Sequence, residues 1–304
     1  MMQNRREFIK RVAAASAFLA IPGVLHPSKK IAETRLVILH TSDVHSHIDP
    51  MPADHARYPG MGGFAQRAAQ IQQVRADNEH VLLFDSGDFF QGTPYFNLYG
   101  GSLELKLMTK MGYDAATLGN HEFDNGMEHL AKQLQHAGFP IVNCNYGISN
   151  TPLEGKIESY KIFEKGGVRI GVIGLGIDPK GLVAPSNHAG LVWNDPILKG
   201  DNMAKYLKQE QTCHIVIALT HIGLRMADGM ADDYALAANS SYIDIILGGH
   251  THSFMDEAVL VNNAANKEVM IMHSGEHGVQ MSRIDLLFSK GKLRKSSQTI
   301  NTPA

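Results

Sequence analysis

The chain has 304 residues, 44% of them hydrophobic, and a formal net charge of −2. That length accommodates one large domain or two small ones with a real core. The charge shows no basic excess, which argues against an electrostatic nucleic-acid binder.

In chain order, the first segment reads as an address. "NRREFIKRVAAASAFLAIPGVL" pairs Arg5 with Arg6, follows with Phe8, Ile9 and Lys10, and continues as an apolar run from Val12 to Leu25. The run is shorter than an ordinary membrane span and suits the apolar core of a signal. The Arg5-Arg6-x-Phe-Ile-Lys order resembles a twin-arginine export signal. Residues 1–33 are therefore expected to lie outside the fold, and the bacterial periplasm or cell envelope is the expected location. No A-x-A cleavage site follows, so contact with a membrane is expected only through an uncleaved signal segment.

From residue 34 to 304 a single domain is expected. Strand-like apolar runs fall at 36–41, 81–84, 115–118, 140–143, 168–175, 214–219, 243–247, 269–273 and 282–288. Helix-like stretches fall at 63–77, 102–111, 125–137, 200–210 and 231–240. Continuous apolar runs separated by helices predict buried strands in an α/β architecture. Residues 144–160 and 178–196 read as loops, and the tail from Ser289 as a strand end and a frayed terminus. Cys144 and Cys213 sit in strand-like runs and read as core residues, not as a disulfide.

Several runs end in ligand-type side chains. After LVILHT come Asp43 and His45; after VLLF comes Asp88; after AATLG come Asn120 and His121; after IVIALT comes His221; after DIILGG come His250 and His252. The carboxyl ends of strands in open α/β sheets are where loops converge to build sites. In extended backbone, residues two apart share a side, so Asp43/His45 and His250/His252 each read as a two-armed chelate. A set of imidazoles and carboxylates without thiolate suits Mn, Fe, Zn or Co. Without His121 the set is Asp43, His45, Asp88, Asn120, His221, His250 and His252; seven ligands exceed one tetrahedral ion, so two divalent metal ions are expected. "GNHEFDNG" does not carry the H-E-x-x-H zinc-protease pattern, because Asn125 stands where the second His would be.

The blocks "TSDVHSH", "DSGDFFQGT", "GNHEFD", "LTHIG" and "GGHTH", from about Leu36 to about Leu287, resemble those of the calcineurin-like metallophosphoesterases. More closely they resemble the metallophosphatase domain of secreted bacterial 5′-nucleotidases. The resemblance implies a four-layer α/β/β/α sandwich. It also implies that Asp43, His45 and His252 bind one metal and that Asn120, His221 and His250 bind the other. Asp88 would bridge them, and His121 and Asp124 would be the catalytic pair. The implied reaction is phosphate-ester hydrolysis by in-line attack of a metal-bound hydroxide, with His121 giving the leaving group its proton and Asp124 orienting the ring. The implied substrate is a small-molecule phosphate ester, a nucleotide for choice. Those nucleotidases carry a C-terminal domain that grips the base. None is expected within this chain, so a separate specificity-domain polypeptide is one expected partner. A cyclic-nucleotide phosphodiesterase, a sulfur-ester hydrolase on the same scaffold, or a metal-binding subunit that needs a partner chain are the alternative readings.

Four weaker signals have plain readings. Phe89, Phe90, Tyr95, Phe96 and Tyr99 form a dense aromatic stretch expected to pack over the sheet edge. Arg225 reads as a surface residue, and His47 as a neighbour of the metal ligands or a solvent-facing group. "GVIGLG" (171–176) has the wrong glycine order for a nucleotide loop and reads as a close-packed strand.

Overall fold

The computed structural model describes residues 33–302 except 228, 290 and 291, so the expected export segment lies outside the described residues but for its last residue. In β1 (Thr34–Thr41), Leu36 and Ile38 point between two sheets, while Val37 and Leu39 point into a helical layer. A strand buried on both faces reads as one continuous apolar run, which is why the strands were visible without alternation.

The first sheet runs β13-β12-β1-β2-β3, with β2 at Val81–Asp85, β3 at Ala115–Ala116, β12 at Gln280–Ser289 and β13 at Lys292–Asn301. β1, β2 and β3 are parallel; β12 and β13 are antiparallel to their neighbours. The second sheet runs β10-β11-β9-β8-β6-β5. Its strands are β5 (Tyr160–Lys165), β6 (Val168–Gly176), β8 (Ile215–His221), β9 (Ile245–Gly248), β10 (Val259–Asn262) and β11 (Glu268–His273). β6, β8, β9 and β11 are parallel. A two-residue pair, β4 (Tyr146–Gly147) and β7 (Val192–Trp193), closes one side.

Three apolar clusters define four layers. Leu36, Ile38, Phe84, Val172, Ile217 and Leu247 fill the space between the sheets. Val37, Leu39 and Leu83 pack against α1 (Phe64–Asp77), α3 (Ser102–Met111) and α4 (Met127–Gln133) through Ile71, Leu105 and Leu130. Val216, Ala218 and Ile246 pack against α5 (Pro196–Gln209) and α6 (Asp233–Asn239) through Ala204, Leu207 and Leu236. The fold is the α/β/β/α sandwich. Among the described residues, no helix is long and apolar enough to cross a membrane.

Local readings needed correction in four places. Residues 292–301 form a ten-residue edge strand, not a frayed terminus; pairing with β12 fixes them although their exposed face is polar. The run at 140–143 makes only isolated bridges, to Ala116 and Glu158. β5 and β10 were not anticipated, because sheet-edge strands lack the double-faced apolar run. Within the aromatic stretch, α2 (Pro94–Tyr99) forms one short helix. Thr93 caps it by accepting from Tyr95 N at 3.3 Å, and Gly100 ends it at φ 62°. Cys144 and Cys213 are free thiols.

Candidate metal and catalytic site

β1, β2, β3, β8 and β9 all end at one edge, and each delivers its ligand-type residues there. Backbone bonds sew the loops together: Asp43 N donates to Gly87 O at 2.9 Å, His45 N to Asp88 O at 2.9 Å, and His277 N to Asp43 O at 2.8 Å. Within this lattice Asp43, His45, Asp88, His250 and His252 all take left-handed backbone, with φ of 52°, 48°, 55°, 76° and 50°. Such conformations cost about 1–3 kcal/mol each in a non-glycine residue and persist only where the surroundings impose them. They aim five of the seven expected ligands at one point.

The ligand atoms divide into two groups. Asp43, His45 and His252 form one; Asp88, His221 and His250 form the other. Spacing alone reads His250 and His252 as one chelate, whereas the resemblance assigns them to different metals. They do separate, because the backbone at both is left-handed and the alternation of an extended strand does not apply. Asn120 joins the second group, its Oδ1 lying 3.0 Å from His250 Nδ1. Asp88 Oδ2 lies 3.0 Å from His221 Nε2, and His221 Nε2 lies 3.9 Å from Asp43 Oδ1, so the groups are contiguous.

The donors fit divalent cations. His45 Nε2 and His252 Nε2 face each other at 3.0 Å, and the buried Asp43 Oδ2 has no hydrogen-bond partner. Two ligands each about 2.1 Å from one ion lie about 3 Å apart, the spacing seen here. Burial pulls His45 and His250 down to about 4, which keeps both imidazoles in the neutral, ligating form. Burial raises Asp43 to about 7, against the pull of His221. For Asp88, burial pushes upward, but the charge and hydrogen bond of His221 outweigh it and hold the carboxylate below its usual range.

His121 and Asp124 meet as expected. His121 Nδ1 lies 2.8 Å from Asp124 Oδ2, and the His121 ring stands edge-on to His45 with centroids 5.3 Å apart. The Asp124 hydrogen bond, opposed by partial burial and helped by the charge of Asp88, lifts His121 to about 9. Its imidazolium is thus available as an acid at neutral pH. Asn187 donates through Nδ2 to Asp124 O at 2.6 Å and fixes that turn from the loop at 178–196.

Two further carboxylates belong to the site and were not singled out from sequence. Glu122 is buried and accepts three backbone N–H bonds: from Asp88 at 2.9 Å, Gly119 at 2.6 Å and Phe90 at 3.1 Å. It ties the loop after β2 to the loop after β3. Glu276 Oε2 lies 2.7 Å from His252 Nδ1 and orients that ligand. The signal for Glu122 lay inside "GNHEFD"; that for Glu276 lay in "VMIMHSGEH", another apolar run ending in ligand-type residues. Gly119 has no room for a side chain, since a Cβ there would run into Asp88 Oδ1 and the His221 ring.

The aromatic stretch packs only in part: Phe89, Phe90 and Phe96 are buried, Tyr95 is half-buried and Tyr99 is exposed. Arg225 is exposed, with its Cζ 3.5 Å over the Tyr234 ring. His47 stacks beside His277 with ring centroids 4.0 Å apart. "GVIGLG" lies within β6.

Residues 36–254 match the pattern of the calcineurin-like phosphoesterases. The chain belongs to that family. Over 84% of its length it is 31% identical to the trifunctional nucleotide phosphoesterase of Bacillus subtilis, of which it covers 18%. Over 86% of its length it is 32% identical to the snake venom 5′-nucleotidase of Gloydius brevicauda, of which it covers 47%. The 5′-nucleotidase precursor of Thermus thermophilus has the same fold, with a TM-score of 0.77 and 29% identity over 88% of this chain and 54% of that one. The chain spans less than two thirds of each of these three phosphoesterases.

Proposed function

We propose that the chain is a metal-dependent phosphoric ester hydrolase of the 5′-nucleotidase type, acting on nucleotides or related phosphate esters. The observation that carries this reading is the His121–Asp124 pair beside two contiguous ligand groups. A module that only bound metal would have no use for a protonated histidine at that place.

Asp43, His45 and His252 would hold one divalent ion and Asn120, His221 and His250 the other, with Asp88 shared between them. Bound there, two such ions would neutralise phosphoryl oxygens and lower the pKa of water from about 15.7 toward about 7. The chain's own groups do the rest. His121 donates a proton to the leaving oxygen through Nε2 while Nδ1–H stays on Asp124, which fixes the tautomer and stabilises the charged ring. Glu122 holds the loops of Asp88 and Asn120 in register. Glu276 keeps the His252 ring turned toward His45.

We further propose that residues 1–33 direct export by the twin-arginine route to the periplasm or cell envelope, on the strength of the Arg5-Arg6 motif and the apolar run behind it. Residues 34–304 would then be the catalytic unit.

The test is hydrolysis by metal-reconstituted protein of 5′-AMP, UDP-glucose, 2′,3′-cyclic AMP, bis-p-nitrophenyl phosphate and p-nitrophenyl phosphate. Preference for 5′-AMP supports the reading. Turnover confined to the diesters would replace it with a phosphodiesterase, and no turnover at full metal occupancy would leave a binding subunit.

A further inference from the structure

The loop between β1 and α1 builds an aromatic ledge, carrying one exposed cation, beside the first ligand group that phosphate-ester chemistry alone does not use. Its ends are clasped: Met51 N donates to Met61 O at 2.7 Å, and Gly60 N to Met51 O at 3.2 Å. Inside it, Tyr58 N donates to His55 Nδ1 at 2.9 Å, and the two rings stack with 10° between planes. Tyr58 in turn stacks on Phe254, with centroids 5.3 Å apart and 26° between planes. Phe254 stands two residues beyond His252, and it lies over Gly275, where a Cβ would run into its ring. The next residue, Glu276, holds His252. The stack is therefore anchored to the backbone that carries a metal ligand.

Arg57 sits on this stack. Its Cζ lies 5.1 Å from the Tyr58 centroid and 5.2 Å from the Phe254 centroid, and the residue is exposed. No carboxylate among the described residues pairs with it. A guanidinium braced on aromatic rings loses less freedom on meeting an anion than a loose lysine would, and presents a flat fork to it. Beside the ligands stand His277 and His47. The His277 ring is 6.0 Å from His45 and 4.0 Å from His47, so polar ring edges continue from the ligand group toward the loop.

We propose that Arg57 receives a second anionic group of the substrate, one separated from the scissile phosphate by the length of this wall. The substrates of choice are then esters with two anionic groups held apart, such as nucleoside 3′,5′-bisphosphates, over simple monophosphates. The inference rests on the phosphoric-ester reading above, and its test separates the two.

The experiment measures kcat/KM of the metal-loaded full chain for two matched pairs: adenosine 3′,5′-bisphosphate against AMP, and 1,3-propanediol bisphosphate against propyl phosphate. Arg57→Gln should lower the preference for the doubly anionic member about five-fold in each pair that is turned over, the scale of one exposed ion pair. Arg57→Lys should lower it less. Arg225→Gln, which removes another exposed arginine braced on an aromatic ring, should not move it. An unchanged preference in Arg57→Gln protein of normal melting temperature overturns the proposal, as does an equal change in Arg225→Gln. If neither nucleotide is turned over, the nucleotide reading fails while the propyl pair still reports on Arg57. If no ester is turned over, both fall.

Discussion

The backbone N–H of His121 donates to Asp88 Oδ1 at 2.9 Å, so a carboxylate of the second ligand group also positions the backbone that carries the proposed acid. The other oxygen of Asp88 lies 3.0 Å from His221 Nε2. One side chain thus couples metal holding to acid placement, and the two functions should separate only from the His121 side.

Asp88→Ala should abolish activity by losing metal, because it removes a buried donor of the second group that the proposed function shares with the first. His121→Ala should keep its metal and lose about 10²–10⁴ in rate, the worth of a general acid. Metal analysis beside kcat for both variants checks this. A metal-free His121→Ala protein would show that the ring is structural.

Asp124→Asn should move the alkaline limb of the pH–rate profile downward. Asp124 is the largest cause of the upward shift of His121 to about 9. An acid works while protonated, so activity that needs His121 is present below its pKa and lost as pH rises through it. A neutral amide removes the stabilising charge, and the limb should begin at lower pH. An unmoved limb in kcat/KM would assign it to another group.

Glu122→Gln should weaken metal binding and stability together. The carboxylate offers both oxygens to three N–H donors, whereas an amide offers one oxygen and faces the remaining donor with an N–H of its own. A buried donor left unsatisfied costs about 1–3 kcal/mol. Denaturant unfolding and metal titration read the two effects, and unchanged metal affinity would mean the loops hold their register without Glu122.

Gly119→Ala tests steric exclusion. The added methyl would collide with Asp88 Oδ1 and the His221 ring, two side chains that are themselves buried. Overpacking of this kind costs roughly 1–3 kcal/mol. The expected result is a folded, less stable protein with impaired metal binding. Full metal occupancy would show that the loop after β3 can shift.

The sequence by itself determined the class of the fold and most of the site. Strands such as β1 and β8 are apolar on both faces because both faces are buried, and that property is local enough to read. Asp43, Asp88, Asn120, His221 and His250 announce themselves because each follows such a run at the sheet edge where loops converge. Tertiary structure alone decided what depends on non-local pairing. Lys292–Asn301 is a strand only because β12 lies beside it. His250 and His252 part to different groups because the loop lattice holds left-handed backbone at both, a conformation uncommon in any non-glycine residue and not readable from spacing. Glu122, Glu276 and Arg57 gain their roles from neighbours remote in sequence or brought close by loop packing, because a carboxylate or a guanidinium acts on whatever the fold sets within a few ångströms of it.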